Sequence, residues 1–250
     1  MRSFMRRMAF AIAISGFLGL LTVQSVSAVQ LLTNGNFETG TFAGWTALNQ
    51  VGGDGSWFID TPGTTSPVSG FPTLATGGNP HGNFYAVTDQ GGPGSHVLIQ
   101  SFNVAAGTTS VILTWDMFNN NQDSGPFGTG LNFNVLPTQI ARVDILTAAA
   151  TVDDVGAGVL QNCFLGGTPG DNPHPFASSA CDITAAVSGG GTFQLRFGET
   201  DNQLFFQMGI DNVAINAVAA QAPEPTSLLL LSLGIAGLAA TGKNQKPVDL

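Results

Sequence analysis

The side chains best able to do chemistry in this 250-residue chain are two cysteines, a surplus of carboxylates and a few aromatic residues. Cys163 and Cys181 have 17 residues between them, and the run from Gly166 to Pro173 carries few apolar side chains to hold itself in place. A disulfide closing that loop would stabilise the fold by about 3 kcal/mol on the chain-entropy model. The competing reading, a nucleophilic cysteine, needs a general base and a depressed pKa. His174 lies between the cysteines, but a single pair in an exported chain favours the bridge.

The carboxylates are more telling. Residues 29 to 222 hold fourteen Asp and Glu against only Arg142 and Arg196, with no lysine, a net charge of −12. Any buried member of that surplus needs a metal or a shifted pKa. Calcium takes about six to eight oxygen ligands, and Glu38 near the start and Asp211 near the end would share a calcium site if the first and last strands are neighbours. The run Asn119-Asn120-Asn121-Gln122-Asp123-Ser124-Gly125 fails as a calcium loop: Ser124 holds the glycine position, and Gly130 stands where a bidentate Glu is required. It reads as a polar loop.

Sugar binding uses exposed rings beside Asn, Asp or Gln, because C–H faces pack on aromatic faces while hydroxyls need directional partners. Trp57, Tyr85, Phe127 and Phe133 are the candidates, whereas Trp45 and Trp115 read as core. Nothing supports catalysis. Asp153 and Asp154 are adjacent and would face opposite ways on a strand. His81, His96 and His174 lack metal spacing, and there is no nucleophile elbow or phosphate loop. No organic cofactor is expected. The acidic balance also removes nucleic acid as a partner, since phosphate backbones need clustered Lys and Arg.

The elements that position these residues lie between two address segments. Arg2, Arg6 and Arg7 precede an uncharged apolar run from Met8 to Leu21 and a small-residue ending at Ser27-Ala28. Residues 1–28 are therefore read as a secretory signal peptide. Toward the other end, residues 219–225 form a linker with Pro223-Glu224-Pro225. Residues 226–242 then form an uncharged hydrophobic helix just able to span a bilayer, and residues 243–250 a short basic cytoplasmic tail with Lys243 and Lys246. This arrangement resembles the PEP-CTERM sorting signal of exported Gram-negative bacterial proteins. The resemblance implies processing by an exosortase-type membrane protease near Pro223, Glu224 and Pro225, transient inner-membrane anchoring, and a destination at the outer cell surface or extracellular matrix. It departs from the family in its two separated lysines and the trailing Pro247 to Leu250.

The remaining 29–218 stretch shows no long helical periodicity. Val111, Leu113, Trp115 and Met117 alternate with polar or outward residues, as do Phe193, Leu195 and Phe197. Both runs read as strands. Further strands are expected over residues 56–60, 83–88, 97–104, 140–147 and 210–217, with Gly/Pro/Asn-rich turns between them. The class is all-β, a two-sheet antiparallel jelly-roll sandwich. Asn34-Gly35-Asn36-Phe37-Glu38-Thr39-Gly40 with Gly44-Trp45, and Ile210-Asp211-Asn212-Val213, look like the opening and closing segments of galactose-binding-like jelly rolls, which include carbohydrate-binding modules. That resemblance implies a structural calcium at Glu38 and Asp211. The functional expectation is a non-enzymatic structural or adhesive surface or matrix component, of the kind found in biofilm, that contacts polysaccharide. The alternatives are a carbohydrate-binding module with a defined pocket and a secreted hydrolase with an unrecognised site.

Overall fold

A computed structural model of the chain describes residues 27–63, 65–70, 82–122, 125, 128–167 and 175–219. The leader expected over residues 1–28 and the sorting helix expected over 226–242 fall outside these residues, apart from Ser27 and Ala28. Among the described residues no helix is long and apolar enough to cross a membrane.

Among the described residues eleven strands form two antiparallel sheets, as the alternating apolar runs require. The first sheet contains β3 (Ser56–Asp60), β4 (Tyr85–Asp89), β11 (Phe206–Ala219), β6 (Thr108–Asn121) and β9 (Ala177–Asp182) in that order, with β1 (Ala28–Gln30) also paired to β11. The second contains β2 (Thr46–Asn49), β5 (Gly94–Val104), β10 (Gly191–Asp201), β7 (Gln139–Thr147) and β8 (Val159–Gly166). A single helical turn, Thr184–Val187, follows β9. Consecutive strands such as β4 and β5, or β10 and β11, lie in opposite sheets, which gives the jelly-roll connectivity.

The core is the set of residues on one parity of each strand. Leu113, Trp115 and Met117 of β6, and Met208 and Ile210 of β11, meet Leu98 and Phe102 of β5, Val143 and Ile145 of β7, and Leu195 and Phe197 of β10. Burying side chains of this size stabilises by about 1.5–3 kcal/mol each. Trp45 tilts against both Phe37 and Phe197, tying the opening segment to the second sheet. Gly209 of β11 lies directly under the Phe118 ring, so a Cβ there would collide with it.

Strand pairing also fixes which loops share an end. Asp201 is opposite both Gly94 and Gln139, and Phe206 is opposite Asn121, so those termini gather at one end of the sandwich. Ala28 pairs with Val218, Ala219 with Thr108, and Gly191 with Val104 at the other end. The domain is therefore entered and left at the end opposite the β4–β5 and β10–β11 connections.

Cys163 and Cys181 are bonded, with Cα atoms 5.8 Å apart. The sequence motivates the bond by the loop between them; the structure adds that Cys163 is on β8 and Cys181 on β9, edge strands of different sheets. It therefore staples the two sheets along one side. Reduction, or Cys163→Ser, is expected to lower unfolding free energy by about 3 kcal/mol. Denaturant midpoints with and without reductant measure this, and coincident curves would remove the disulfide from the stability argument.

The two arginines lie on the outward parity of the second sheet, covered by loops rather than by the other sheet. Asp144 of β7 accepts from Arg142 Nε at 2.6 Å and Nη2 at 2.9 Å, from Arg196 Nη2 at 2.5 Å and Nε at 3.1 Å, and from Asn162 Nδ2 at 2.8 Å. Arg196 also donates to the Val152 and Asp154 carbonyls, and Arg142 to the Thr129 carbonyl. The β7–β8 and β6–β7 loops are thereby fixed to the sheet. Burial alone would raise the Asp144 pKa, but the two guanidiniums and Asn162 outweigh it and hold the carboxyl below its ordinary range.

Candidate functional site

Toward the end that gathers Gly94, Gln139, Asp201 and Phe206, the inward parity changes from apolar to polar. Continuing Leu195 and Phe197 by twos gives Glu199 and Asp201; continuing Met117 gives Asn119 and Asn121; stepping back from Leu98 gives His96, and from Ala141 gives Gln139. All are buried. Gln139 Nε2 donates to Asn121 Oδ1 at 2.7 Å, and Gln90 Nε2 to Glu199 Oε1 at 3.4 Å, so amides bridge the sheets where hydrophobic contact stops.

The polar layer underlies a cavity of about 490 Å³. Its walls are Val68 and Ser69 from the β3–β4 connection, Gln90 to Pro93 between β4 and β5, Gln122 after β6, Asp201 at the end of β10, and Asn202 to Phe205 between β10 and β11. Each wall has an identifiable support. Asp89 Oδ2 accepts from the Val68 and Ser69 backbone N–H groups at 2.5 and 2.8 Å, while its Oδ1 accepts from Gln207 Nε2 at 3.0 Å. Gly91 N–H donates to Asp54 at 2.7 Å. The Leu204 N–H reaches Gln139 Oε1, and Asn202 Nδ2 donates to the Phe133 and Val135 carbonyls at 2.6 and 2.9 Å. A site built this way is pre-formed.

Its electrostatics are those of buried acids close to one another. Desolvation, with the neighbouring Asp201 and Asp89 adding to it, pushes the Glu199 carboxyl well above its usual range. Desolvation likewise lowers His96 to about 4, leaving a neutral imidazole whose Nδ1 lies 2.9 Å from Asn49 Oδ1. Glu199 Oε2, Gln90 Oε1, His96 Nε2 and Asn119 Oδ1 are buried atoms without a hydrogen-bond partner, as are the indole N–H groups of Trp57 and Trp115. All belong to side chains of the inward parity. Such atoms are uncommon in folded interiors and mark places where polar ligands or water are favoured.

The structure redistributes the residues singled out from sequence. Trp57 and Tyr85 are buried and offer no face to a sugar, which corrects their reading as exposed platforms: Trp57 packs in the main core, and Tyr85 stacks with Phe118 and Phe176 on the outer side of the first sheet. Phe133 is half-buried near the pocket but not on its lining, and Phe127 lies outside the described residues. The Asn119–Gly130 stretch is not wholly loop. Asn119 to Asn121 finish β6 because each pairs with β11. Glu38 is held by Phe84 and Asn83 backbone N–H groups at 3.0 and 2.8 Å, which with the Asn83 side chain keep its carboxyl below the ordinary range. Asp211 is buried on β11 opposite Asp116. Among the described residues, no group of three or more His, Cys, Asp or Glu side chains is gathered to hold a metal ion. Sequence reasoning did not single out Gln90, Gln122 or Leu204, although the Leu195-to-Asp201 alternation was a usable signal for the polar interior.

These features define an exported-type jelly-roll sandwich with a loop-built polar pocket at one end. Residues 221–243 match the PEP-CTERM protein-sorting motif, which marks an exported protein with a C-terminal sorting signal. No curated protein matches the chain. Among solved structures, the domain is similar to the module TmCBM61 in complex with β-1,4-galactotriose, at 13% identity and TM-score 0.46, covering 75% of this chain and 97% of that one. It is also similar to a cyclase from Fischerella sp. TAU, at 16% identity and TM-score 0.49, covering 78% and 100%. A third is the K3 cleaved adhesin domain of Lys-gingipain from Porphyromonas gingivalis W83, at 11% and 0.43, covering 78% and 100%.

Proposed function

We propose that this is a non-enzymatic surface or matrix protein of a Gram-negative bacterium, released or anchored through exosortase-type processing near Pro223-Glu224-Pro225, which contacts polysaccharide through the loop-end pocket. The observation that carries the reading is the pocket itself. It is a cavity of about 490 Å³ with supported walls, amides and a carboxylate on its lining, and hydrogen-bonding groups buried beneath it. Ligand sites for small molecules and sugar units fall in this size range, about 300–1,000 Å³. A defined pocket favours specific glycan contact over a purely structural role. Hydrolysis gains no support, because Glu199, a buried acid whose pKa desolvation raises, is sealed below the lining rather than placed on it.

Affinity electrophoresis of the exported protein through gels containing soluble galactan, xylan or glucomannan tests the reading. Retardation by at least one neutral polysaccharide is expected, reduced severalfold by Gln122→Ala, a rim change that leaves the fold intact. Unretarded migration in all of them would overturn it. Fractionation with intact-mass measurement reports the processing, and a mass that includes residues beyond 225 would argue against cleavage there. The backbone N–H groups of Asn83 and Phe84 hold Oε1 of Glu38, so a calcium shared with Asp211 would take Oε2, which accepts from Asn83 Nδ2 at 3.3 Å. A thermal melt unmoved by EDTA removes calcium from the reading.

A further inference from the structure

Along the pocket wall, hydrogen-bond donors are engaged within the protein. The N–H groups of Val68, Ser69, Gly91 and Leu204 go to Asp89, Asp54 and Gln139. Gln122 N–H donates to the Phe205 carbonyl, Asn202 N–H to the Thr138 carbonyl and Gln203 N–H to Asp201 Oδ1, each at 3.0 Å. Pro93 has no N–H to offer. The side-chain amides behave alike: Asn202 Nδ2 donates to the Phe133 and Val135 carbonyls, Gln203 Nε2 to Asn202, and Gln90 Nε2 to Glu199 Oε1.

Acceptors are left over. Gln90 is on the wall and only 6% exposed, and its Oε1 has no donor. Glu199 Oε2, in the layer beneath, is in the same condition, while Asp201 puts a carboxylate on the wall itself. Repulsion from Asp201 and Asp89 adds to burial in raising the Glu199 carboxyl, so these acids lie close enough to feel one another's charge. Arg142 and Arg196, the only arginines or lysines between residues 29 and 222, are both bound to Asp144 on the outer face of the second sheet.

A ligand suited to this wall brings donors and positive charge. A hydroxyl has one donor and two acceptor lone pairs, whereas an ammonium has three donors and no acceptor. A uronate or sulfate would meet like charge at Asp201 and find the wall's N–H groups already engaged. Calcium is a poorer match, since it takes about six to eight oxygen ligands, and among the described residues no group of three or more His, Cys, Asp or Glu is gathered to hold it. The half-buried Phe205 adds an aromatic side chain to the wall, a residue type favourable to sugar C–H groups and to ammonium alike.

We infer that the pocket selects glycans carrying free primary amines, that is, amino sugars without an N-acyl group, with the sugar ammonium placed against Asp201 above the donor-poor Gln90–Glu199 pair. The inference rests on the carbohydrate reading above, and neutral sugars bind the same pocket more weakly.

Calorimetry of the exported protein in metal-free, mildly acidic buffer tests it, using a β-1,4-linked glucosamine trisaccharide, the same trisaccharide N-acetylated, a trigalacturonate, and spermidine as an amine without a sugar. The free amine is expected to bind about tenfold tighter than its N-acetylated form, the margin between a charge-assisted and a neutral hydrogen bond. Asp201→Asn keeps the oxygen that accepts from Gln203 and should cut that preference to about threefold or less. Asp153→Asn, an exposed change in the β7–β8 loop at the far end of the sandwich, should leave the preference whole, which separates the pocket from the general attraction of an acidic domain for cations. Equal loss in the two variants, spermidine binding as tightly as the glucosamine trisaccharide, or tighter binding of trigalacturonate overturns the inference. Equal affinity for the free-amine and N-acetylated forms overturns it and leaves the carbohydrate reading standing. Should neither trisaccharide bind, the polysaccharide gels decide the rest: retardation there rejects the amine and keeps the carbohydrate reading, and no retardation rejects both.

Discussion

Asp144→Ala is expected to cost on the order of 3–5 kcal/mol of folding free energy, the range found when one partner of a buried ion pair is removed. Two guanidiniums converge on that carboxylate, and both are buried, so the substitution strands two charges with only carbonyl oxygens and Asn162-side contacts nearby. A surface ion pair would contribute about 0–1 kcal/mol, and this difference separates the two pictures. Chemical denaturation monitored by tryptophan fluorescence reads the effect; a loss under about 1 kcal/mol would show that the arginines are solvated in solution. The pH dependence has a definite sign. Because the folded-state pKa of Asp144 is depressed, its contribution is complete above the unfolded aspartate value near 3.8 and is lost as pH falls through the lower folded value. Acid destabilisation from this residue therefore begins only below about pH 4.

Glu199→Gln is expected to act in the opposite direction. The folded pKa of Glu199 is raised by desolvation and by Asp201, so the native protein retains a proton that the unfolded chain releases above the ordinary value of 4.5. Native stability then falls with rising pH by about 1.4 kcal/mol per unit until the folded pKa is reached. Glutamine is nearly isosteric, stays neutral and has no such slope. The variant should match the parent near pH 4 and become progressively more stable than it as the pH rises from there toward the parent's folded pKa. Denaturation midpoints across that range check this, and parallel curves for the two proteins would show that Glu199 is ionised in the native state. Changes of this kind are informative because most buried substitutions destabilise.

Much of the architecture was legible because strand parity is a strong constraint. Ser56–Asp60 was read with the boundaries it has, the β6 and β10 interiors fell where alternation put them, and the strands expected over 140–147 and 210–217 lie within β7 and β11. The ends were harder. Asn119 to Asn121 look like loop because their side chains are polar, yet the backbone keeps pairing with β11, and the interior at that level is polar enough to accept them. The disulfide was legible from compartment and count, though not its partners in space: the bond joins two sheets, and no loop-length argument distinguishes that from tethering a single loop. Trp57 and Tyr85 were misplaced for a related reason. Type alone does not separate Trp57, on the inner face of the edge strand β3, or Tyr85, packed against Phe118 and Phe176 on the outer face of β4, from a ring on a platform, since all occur on short strands beside polar residues. β8 and β9 were missed because their exposure alternates without a strong apolar half, as edge strands allow. The pocket was least legible, being assembled from four separate segments whose proximity only the topology supplies.

The opposed positions of the chain's exit and the pocket have a mechanical meaning. β11 begins beside the pocket at Phe206 and ends at Ala219, where the chain leaves the domain, a run of 14 residues or about 45 Å. A load between a glycan held in the pocket and the segment beyond Ala219 pulls along that strand, parallel to its neighbours. The hydrogen bonds joining β11 to β6, from Phe206–Asn121 to Ala219–Thr108, then share the load in shear and must give way together. Force applied across the strand would open the same bonds one after another. The jelly-roll connectivity thus points its strongest direction along the line between the pocket and the chain's exit.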